Sequence, residues 1–173
     1  MTDTTQATPL EADHAEAAPE TMHGCLVTYS RGQKVIHVSA AQYLGVLRHL
    51  VADGFTMCAD LCGVDYLTHP GRPLPDTVTA ERFEVVLNLL SITRRERLRV
   101  RVQLSASDPV LASAFDIWPG TEAMEREAFD MYGITFTDHP DLTRILMPED
   151  WVGYPLRKDY EVGRIPVQFK GTR

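Results

Sequence analysis

Four carboxylates within nine positions, Glu122, Glu125, Glu127 and Asp130, followed nine residues later by His139, form the densest set of proton-handling or metal-ligating side chains in the sequence. Oxygen ligands joined by an imidazole would suit a divalent metal or an acid–base pair. Helical geometry argues against it. Each residue turns by about 100°, so Glu125 and Glu127 point about 200° apart and cannot close on one ion without ligands from elsewhere. Arg126 stands four residues before Asp130. A charged ladder on a helix surface, with Met124, Ala128, Phe129 and Met131 or Tyr132 turned inward or toward a partner, explains the same pattern. His139, inside Asp138-His139-Pro140-Asp141, reads as a turn residue held by neighbouring acids. The run Pro155-Leu156-Arg157-Lys158-Asp159-Tyr160 could hold phosphate through Arg157 and Lys158. Without a Gly-rich cradle or a helix N-terminus, ion pairs across an interface fit it better.

Other chemistries lack their anchors. No Gly-rich phosphate loop, Gly-x-Ser-x-Gly elbow or His-Glu-x-x-His pair occurs. Cys25, Cys58 and Cys62 are too few and wrongly spaced for a zinc or iron–sulfur framework, and Cys58 and Cys62 lie in an apolar run that predicts buried, reduced thiols. Nucleic-acid binding would need a strongly basic face. The one dense basic cluster, Arg94, Arg95, Arg97, Arg99 and Arg101, alternates with Leu98, Val100, Val102 and Leu104. That is the wet side of a strand whose other side is core.

The elements that would position these residues follow from pattern. Residues 25–29 and 34–38 predict a hairpin around Ser30-Arg31-Gly32-Gln33. Ser39 offers an N-cap for a helix over about 40–53, with Tyr43, Leu44, Leu47, Leu50 and Val51 at helical spacing and Gly54 as the stop. A strand follows over about 55–62, then a surface loop through the Pro- and Gly-containing residues 69–75. Residues 82–92 predict a central strand, joined by a turn at 93–96 to the alternating strand 97–104. Asp108-Pro109 predicts the start of a short helix to about Phe115. A second helix spans about Thr121 to Tyr132 and ends at Gly133.

At 173 residues and 44% apolar composition, the chain supports one compact domain with room for a tail. The net charge is −7, and residues 1–22 hold five acids and no base, so −2 remains for the rest. Such a segment buries too little to offset the cost of ordering it, and reads as a disordered acidic tail. No stretch approaches the roughly 18 to 20 apolar residues of a spanning helix. The N-terminus lacks the basic region and apolar core of a signal peptide, which makes a cytoplasmic protein the default expectation. Beyond Ile134 periodicity fades among Pro140, Pro148, Pro155 and Pro166. Yet Phe136, Leu142, Ile145, Leu146, Met147, Trp151, Tyr154, Leu156, Tyr160 and Phe169 make this stretch too apolar for a free tail. It either wraps its own domain or lies on a partner. The expected division is a tail over 1–22, an α+β domain over 23–135 and an extended Pro-rich arm over 136–173. The fold is expected in two layers, helices on a mixed, largely antiparallel sheet.

The stretch EREAFDMYGI, Glu125 to Ile134, continuing through Phe136 and HPDLTRILMPEDWVGYPLRKDY, His139 to Tyr160, resembles the C chain family of respiratory complex I. Asp60 to Tyr66, ERFEVVLNLLS and DIWPG also look like family landmarks, so the resemblance extends over about residues 40–160. Ala123 departs from it, standing where the family often has an aromatic residue. The resemblance implies a hydrophilic, cofactor-free subunit in the cytoplasmic arm of a proton-translocating NADH:quinone oxidoreductase. FMN and Fe–S clusters would belong to partner chains, with the quinone-reducing D chain as main neighbour and the B and I chains close by. It implies no catalytic or metal-binding residue here. Membrane association, peripheral and on the cytoplasmic side, would come only through the complex. Glu125, Arg126, Glu127, Asp130, Gly133, His139, Pro155, Leu156, Lys158 and Asp159 would then be signature or interface positions. Arg144, Trp151, Arg157 and Tyr160 are the expected anchors on a partner. Two alternatives remain open: the equivalent subunit of a complex with a deazaflavin, ferredoxin or hydrogenase donor, and a small stand-alone enzyme using Glu125, Glu127, Asp130 and His139.

Overall fold

In the computed structural model, which describes residues 19–161, two tight turns open the fold. His23 (φ 51°) and Gly24 (φ 75°) reverse the chain between β1 (Thr21–Met22) and β2 (Cys25–Ser30). Arg31 (φ 50°) and Gly32 (φ 76°) do the same between β2 and β3 (Gln33–Val38). Positive φ at both central residues matches a two-residue turn to the right-handed twist of its strands. The expected hairpin is therefore present, and a second one precedes it. Thr21 and Met22, assigned above to the acidic tail, instead begin the sheet, and Val27 N donates to Glu20 O at 2.8 Å. Residues 1–18 of that tail lie outside the described residues, as do residues 162–173 of the expected arm, Pro166 and Phe169 among them.

Helix α1 (Tyr43–Ala52) buries Tyr43, Val46, Leu47 and Leu50. It starts later than expected, because Ser39 Oγ donates to Gln42 Oε1 at 2.7 Å and caps no backbone amide. Gly54 (φ 95°) ends it, its amide donating to Val51 O. Strands β4 (Met57–Asp65), β5 (Phe83–Ser91) and β6 (Glu96–Leu104) complete a sheet of order β1-β2-β3-β6-β5-β4. All its pairings are antiparallel except β3 with β6. The α+β class with a mixed, mostly antiparallel sheet is as the sequence predicts.

Register sorts the side chains. Leu61, Leu87, Val100 and Ile36 lie across neighbouring strands on one face and are buried there with α1 in a continuous core. Arg99, Arg101, Gln103, Glu84, Asn88 and Cys62 alternate with them on the other face. Cys62 is consequently exposed and Cys58 half-buried, against the expectation that both thiols are buried; Cys25 is the buried one. Burial pushes the Cys58 thiol up to about 12.

The segment expected as a short helix after Asp108-Pro109 is a strand, β7 (Val110–Ala112), paired in parallel with β8 (Thr135–Thr137). Pro109 O accepts from Thr135 N and Thr137 O from Ser113 N, at 2.9 and 2.8 Å. With Leu111 buried, this pairing outweighs the local helix-start signal. A 3-10 turn at Pro119–Thr121 leads into α2 (Glu122–Tyr132), which packs on β4. Gly63 in β4 permits that approach: a Cβ there would lie 2.8 Å from the Tyr132 ring. Among the described residues no helix is long and apolar enough to cross a membrane.

Candidate functional site

Helix α2 carries its charges on more than one side. Glu122 and Arg126 pair at 3.1 Å, and Glu127 is exposed. Glu125 and Asp130 are fully buried, which corrects the surface-ladder expectation. Glu125 accepts from Ser113 Oγ at 2.6 Å and Ala114 N at 2.7 Å. Burial pushes its carboxyl above the ordinary range, against the lowering pull of these donors and of His139. His139 Nδ1 accepts from Asp141 N at 3.1 Å, so its Nε2 is the protonated nitrogen and donates to Glu122 O at 3.1 Å. Nε2 also lies 3.9 Å from Glu125.

A raised carboxyl pKa means that the folded chain holds this proton more tightly than the unfolded one. Stability therefore declines as pH rises from the unfolded-state value through the folded one. Glu125→Gln is expected to remove that decline, giving a flatter stability profile as pH rises above the ordinary carboxylate range. Urea unfolding at several pH values measures it. A variant profile parallel to that of the parent would contradict the assignment.

Asp130 does different work. Its Oδ2 accepts from three consecutive amides, Ile145 at 3.0 Å, Leu146 at 2.7 Å and Met147 at 2.8 Å. Its Oδ1 accepts from Arg144 Nη1 at 2.5 Å, and Arg144 Nη2 donates onward to Gly153 O at 3.1 Å. Burial alone would push this carboxyl up; the amides and Arg144 together hold it below the ordinary range. Arg126 adds donors to Thr143 O and Thr143 Oγ1.

The next stretch closes the C-terminal end of α2. Gly133, in the left-handed conformation at φ 70°, leaves no room for a Cβ, which would sit 2.6 Å from the Tyr154 ring. Leu156 N donates to Met131 O at 3.1 Å and Arg157 Nε to Tyr132 O at 2.6 Å, so two carbonyls at the helix end gain partners. A cation at the negative end of a helix is also favoured electrostatically. The Arg157 guanidinium lies over the rings of Tyr154 and Phe83.

A second buried carboxylate holds the far end. Asp65 accepts from Lys158 N at 2.9 Å, from Leu67 N at 2.9 Å and from Arg82 through Nε and Nη2. Arg82 also grips Asp159, at 2.7 and 3.0 Å. Burial opposes ionisation of Asp65, but Arg82 and the two amides win and lower its pKa. The Tyr160 ring packs where Gly153 (φ 94°) has no Cβ.

Residues 143–160 are thus irregular in backbone and fixed to the domain through polar groups. Four of their aliphatic side chains stay exposed: Ile145 is 43% exposed, Leu146 60%, Val152 88% and Leu156 44%. Trp151 and Pro155 are half-buried, and the Trp151 indole N–H is buried without a partner. Arg144 and Arg157, expected as anchors on a partner, are engaged inside the chain. The four residues of the stand-alone enzyme alternative are not brought together: Glu125 and His139 approach, Asp130 is taken by Arg144 and amides, and Glu127 lies in solvent. Among the described residues no group of three or more His, Cys, Asp or Glu could hold a metal ion. Sequence reasoning missed Asp65, Arg82 and Gly153, although Asp65 lies inside the landmark Asp60 to Tyr66.

Comparison with known proteins shows what the chain resembles. The family model described as respiratory-chain NADH dehydrogenase, 30 Kd subunit, matches residues 36–165. The C chain of the NADH-quinone oxidoreductase of Saccharopolyspora erythraea is 43% identical over 149 residues, covering 84% of this chain and 56% of that protein. Its counterpart from Roseiflexus castenholzii is 45% identical over 142 residues, covering 80% and 76%. The chain spans little more than half the length of the S. erythraea relative. A trypsin-resistant fragment of Nqo5 superposes with a TM-score of 0.61 at 34% identity, covering 69% of this chain and 90% of the fragment. The structure of a membrane-bound sulfane sulfur reductase, an archaeal respiratory membrane complex, contributes a chain with TM-score 0.61 at 18% identity, covering 86% of this chain and 88% of that one, a likeness of fold.

Proposed function

Since the chain belongs to the respiratory-chain NADH dehydrogenase 30 Kd subunit family, we propose that it is a non-catalytic docking subunit in the cytoplasmic arm of a proton-translocating NADH:quinone oxidoreductase. In that machine electrons pass from NADH through FMN and Fe–S clusters, all in partner chains, to quinone. This chain supplies surface to the D chain, with the B and I chains as further neighbours. It stays on the cytoplasmic side of the membrane as a peripheral component.

One observation carries the reading. Residues 143–160 are tied inward through Asp130, Asp65 and the end of α2, and leave Ile145, Leu146, Val152 and Leu156 exposed. A segment held this way offers exposed apolar side chains on an already ordered backbone, so little conformational entropy remains to be lost on association. The division into a domain over 23–135 and a partner-binding arm over 136–173 is part of the same proposal. A cut after Leu146 would remove two of these side chains, but it would also strip Asp65 of the Lys158 amide and the end of α2 of two donors. Point variants are cleaner.

Leu146→Asp combined with Val152→Asp changes two exposed side chains and leaves every polar contact above in place. Co-purification of the D chain with the tagged double variant is expected to fall by about tenfold or more, the loss of one modest hot spot. Undiminished recovery with an unchanged fold would overturn the proposal.

A further inference from the structure

Both helices pack on one face of the sheet, the face of Ile36, Leu61 and Gly63. On the opposite face the β4–β5 loop lies over the end near His37. The rest of that face is open. Arg97, Asp60 and Cys62 are exposed there, and Arg99 and Asn88 are half-buried. Two concavities of about 400 and 390 Å³ adjoin on it, sharing Asn88 and Arg99.

The charges on this stretch do not balance. Arg99 Nε donates to Asn88 Oδ1 at 3.3 Å, and the terminal nitrogens of Arg99 have no partner. Among the described residues no carboxylate oxygen lies within 4.0 Å of the Arg97 or Arg99 guanidinium. Of the acids bordering the concavities, Glu84 is taken by Arg101 at 2.7 Å, and Asp60 accepts from Asn88 at 3.3 Å. Two arginines two residues apart on one strand face thus share the same open groove, where their like charges repel. An acidic partner would relieve that repulsion.

The chain itself carries one. Residues 1–18, outside the described residues, hold Asp3, Glu11, Asp13 and Glu16 and no Lys or Arg. They join the fold at the edge of this same sheet, where Glu20 O accepts from Val27 N. The paired row Thr28, Val35, Arg99 crosses the sheet from β2 to β6. Pro19 precedes Glu20 and falls beside Thr28 in that row, so Arg99 stands three strand spacings away, roughly 15 Å. Glu16 and Asp13 lie three and six residues before Pro19. At about 3.3 Å per extended residue, with both side chains adding reach, that length suffices.

We propose that residues 11–16 dock on the open sheet face of their own chain, with Glu11, Asp13 and Glu16 as counter-charges to Arg97 and Arg99. Exposed ion pairs are individually weak and screened by salt. The tether raises the effective concentration of the segment to the order of millimolar, so the contact is populated yet reversible. This face is apart from residues 143–160, so the proposal stands or falls independently of the D-chain reading.

The full-length chain and its Glu11→Gln/Asp13→Asn/Glu16→Gln variant test it, because these substitutions touch no contact of the described domain. The side-chain Nε–H signals of Arg97 and Arg99 are followed by proton–nitrogen NMR at low and high sodium chloride. They are expected to differ between parent and variant at low salt and to converge at high salt. Phenylglyoxal modification of the two arginines, read by peptide mass spectrometry at low salt, is expected to run about threefold faster in the variant, as fits a weak tethered contact. Identical arginine signals or equal modification rates at low salt would overturn the proposal. A parent signal that moves to the variant position on dilution would also overturn it, since the segment would then reach a second copy rather than its own chain.

Discussion

Replacing Asp130 by alanine is expected to lower the thermal midpoint by roughly 10 °C and to release residues 144–147 from the domain. Four donors converge on this carboxylate, three of them backbone amides that have no other acceptor among the described residues. Without it Arg144 becomes a largely buried cation with no counter-charge. Breaking one side of such a pair costs about 3 to 5 kcal/mol. Hydrogen exchange should localise the effect, with the Ile145, Leu146 and Met147 amides becoming fast while those of β5 and β6 stay slow. Because the folded pKa of Asp130 is depressed, its contribution is complete above the unfolded-state value and disappears as pH falls through the folded one. Asp130→Ala should therefore narrow the stability gap to the parent chain at strongly acid pH. A midpoint and exchange pattern like those of the parent would show that the three short amide contacts do not hold the segment.

Arg82→Met is expected to be comparably harmful, at about 3 to 5 kcal/mol, because it leaves Asp65 charged and fully buried with only two amide donors. The site of opening should differ. Arg82 bridges Asp65 to Asp159, so residues 158–160 should gain exchange and the 145–147 amides should remain protected. Methionine keeps most of the aliphatic bulk beside Phe83, which separates loss of charge from loss of packing. Two variants that open opposite ends of one segment would establish that it is held by two separate carboxylate clasps. Simultaneous opening of both ends in either variant would mean that it behaves as one unit.

Much of the domain is legible in the sequence because its elements follow strong local rules. The two-residue period of β6 and the apolar run of β5 identify both strands and the face each buries. Gly54 and Gly133 mark the ends of α1 and α2 by conformational demand. Local rules fail where distant partners decide. Pro109 has the chemistry of a first helical position, yet the parallel pairing with β8 makes the next residues a strand. Thr21–Met22 is too short to show alternation. On α2, Glu125 and Asp130 have the spacing of surface charges, and nothing local reveals that Ser113 and the 145–147 amides wait for them. Backbone amides leave no side-chain signature, so the clasp on Asp130 cannot be read from composition. The exposed Cys62 is a matter of phase: once Leu61 and Gly63 face the core, Cys62 must face outward.

The clasps also answer why the end of the described chain is apolar without being periodic. Periodicity marks burial against one's own helix or sheet, whereas residues 143–160 are fixed by backbone donors and leave four aliphatic side chains exposed. The most direct test is hydroxyl-radical footprinting of Leu146, Val152 and Leu156 in the free chain and in the intact detergent-solubilised complex. The docking account predicts strong labelling of all three when the chain is free, and protection when it is assembled with the D chain. Equal labelling in both states would contradict it.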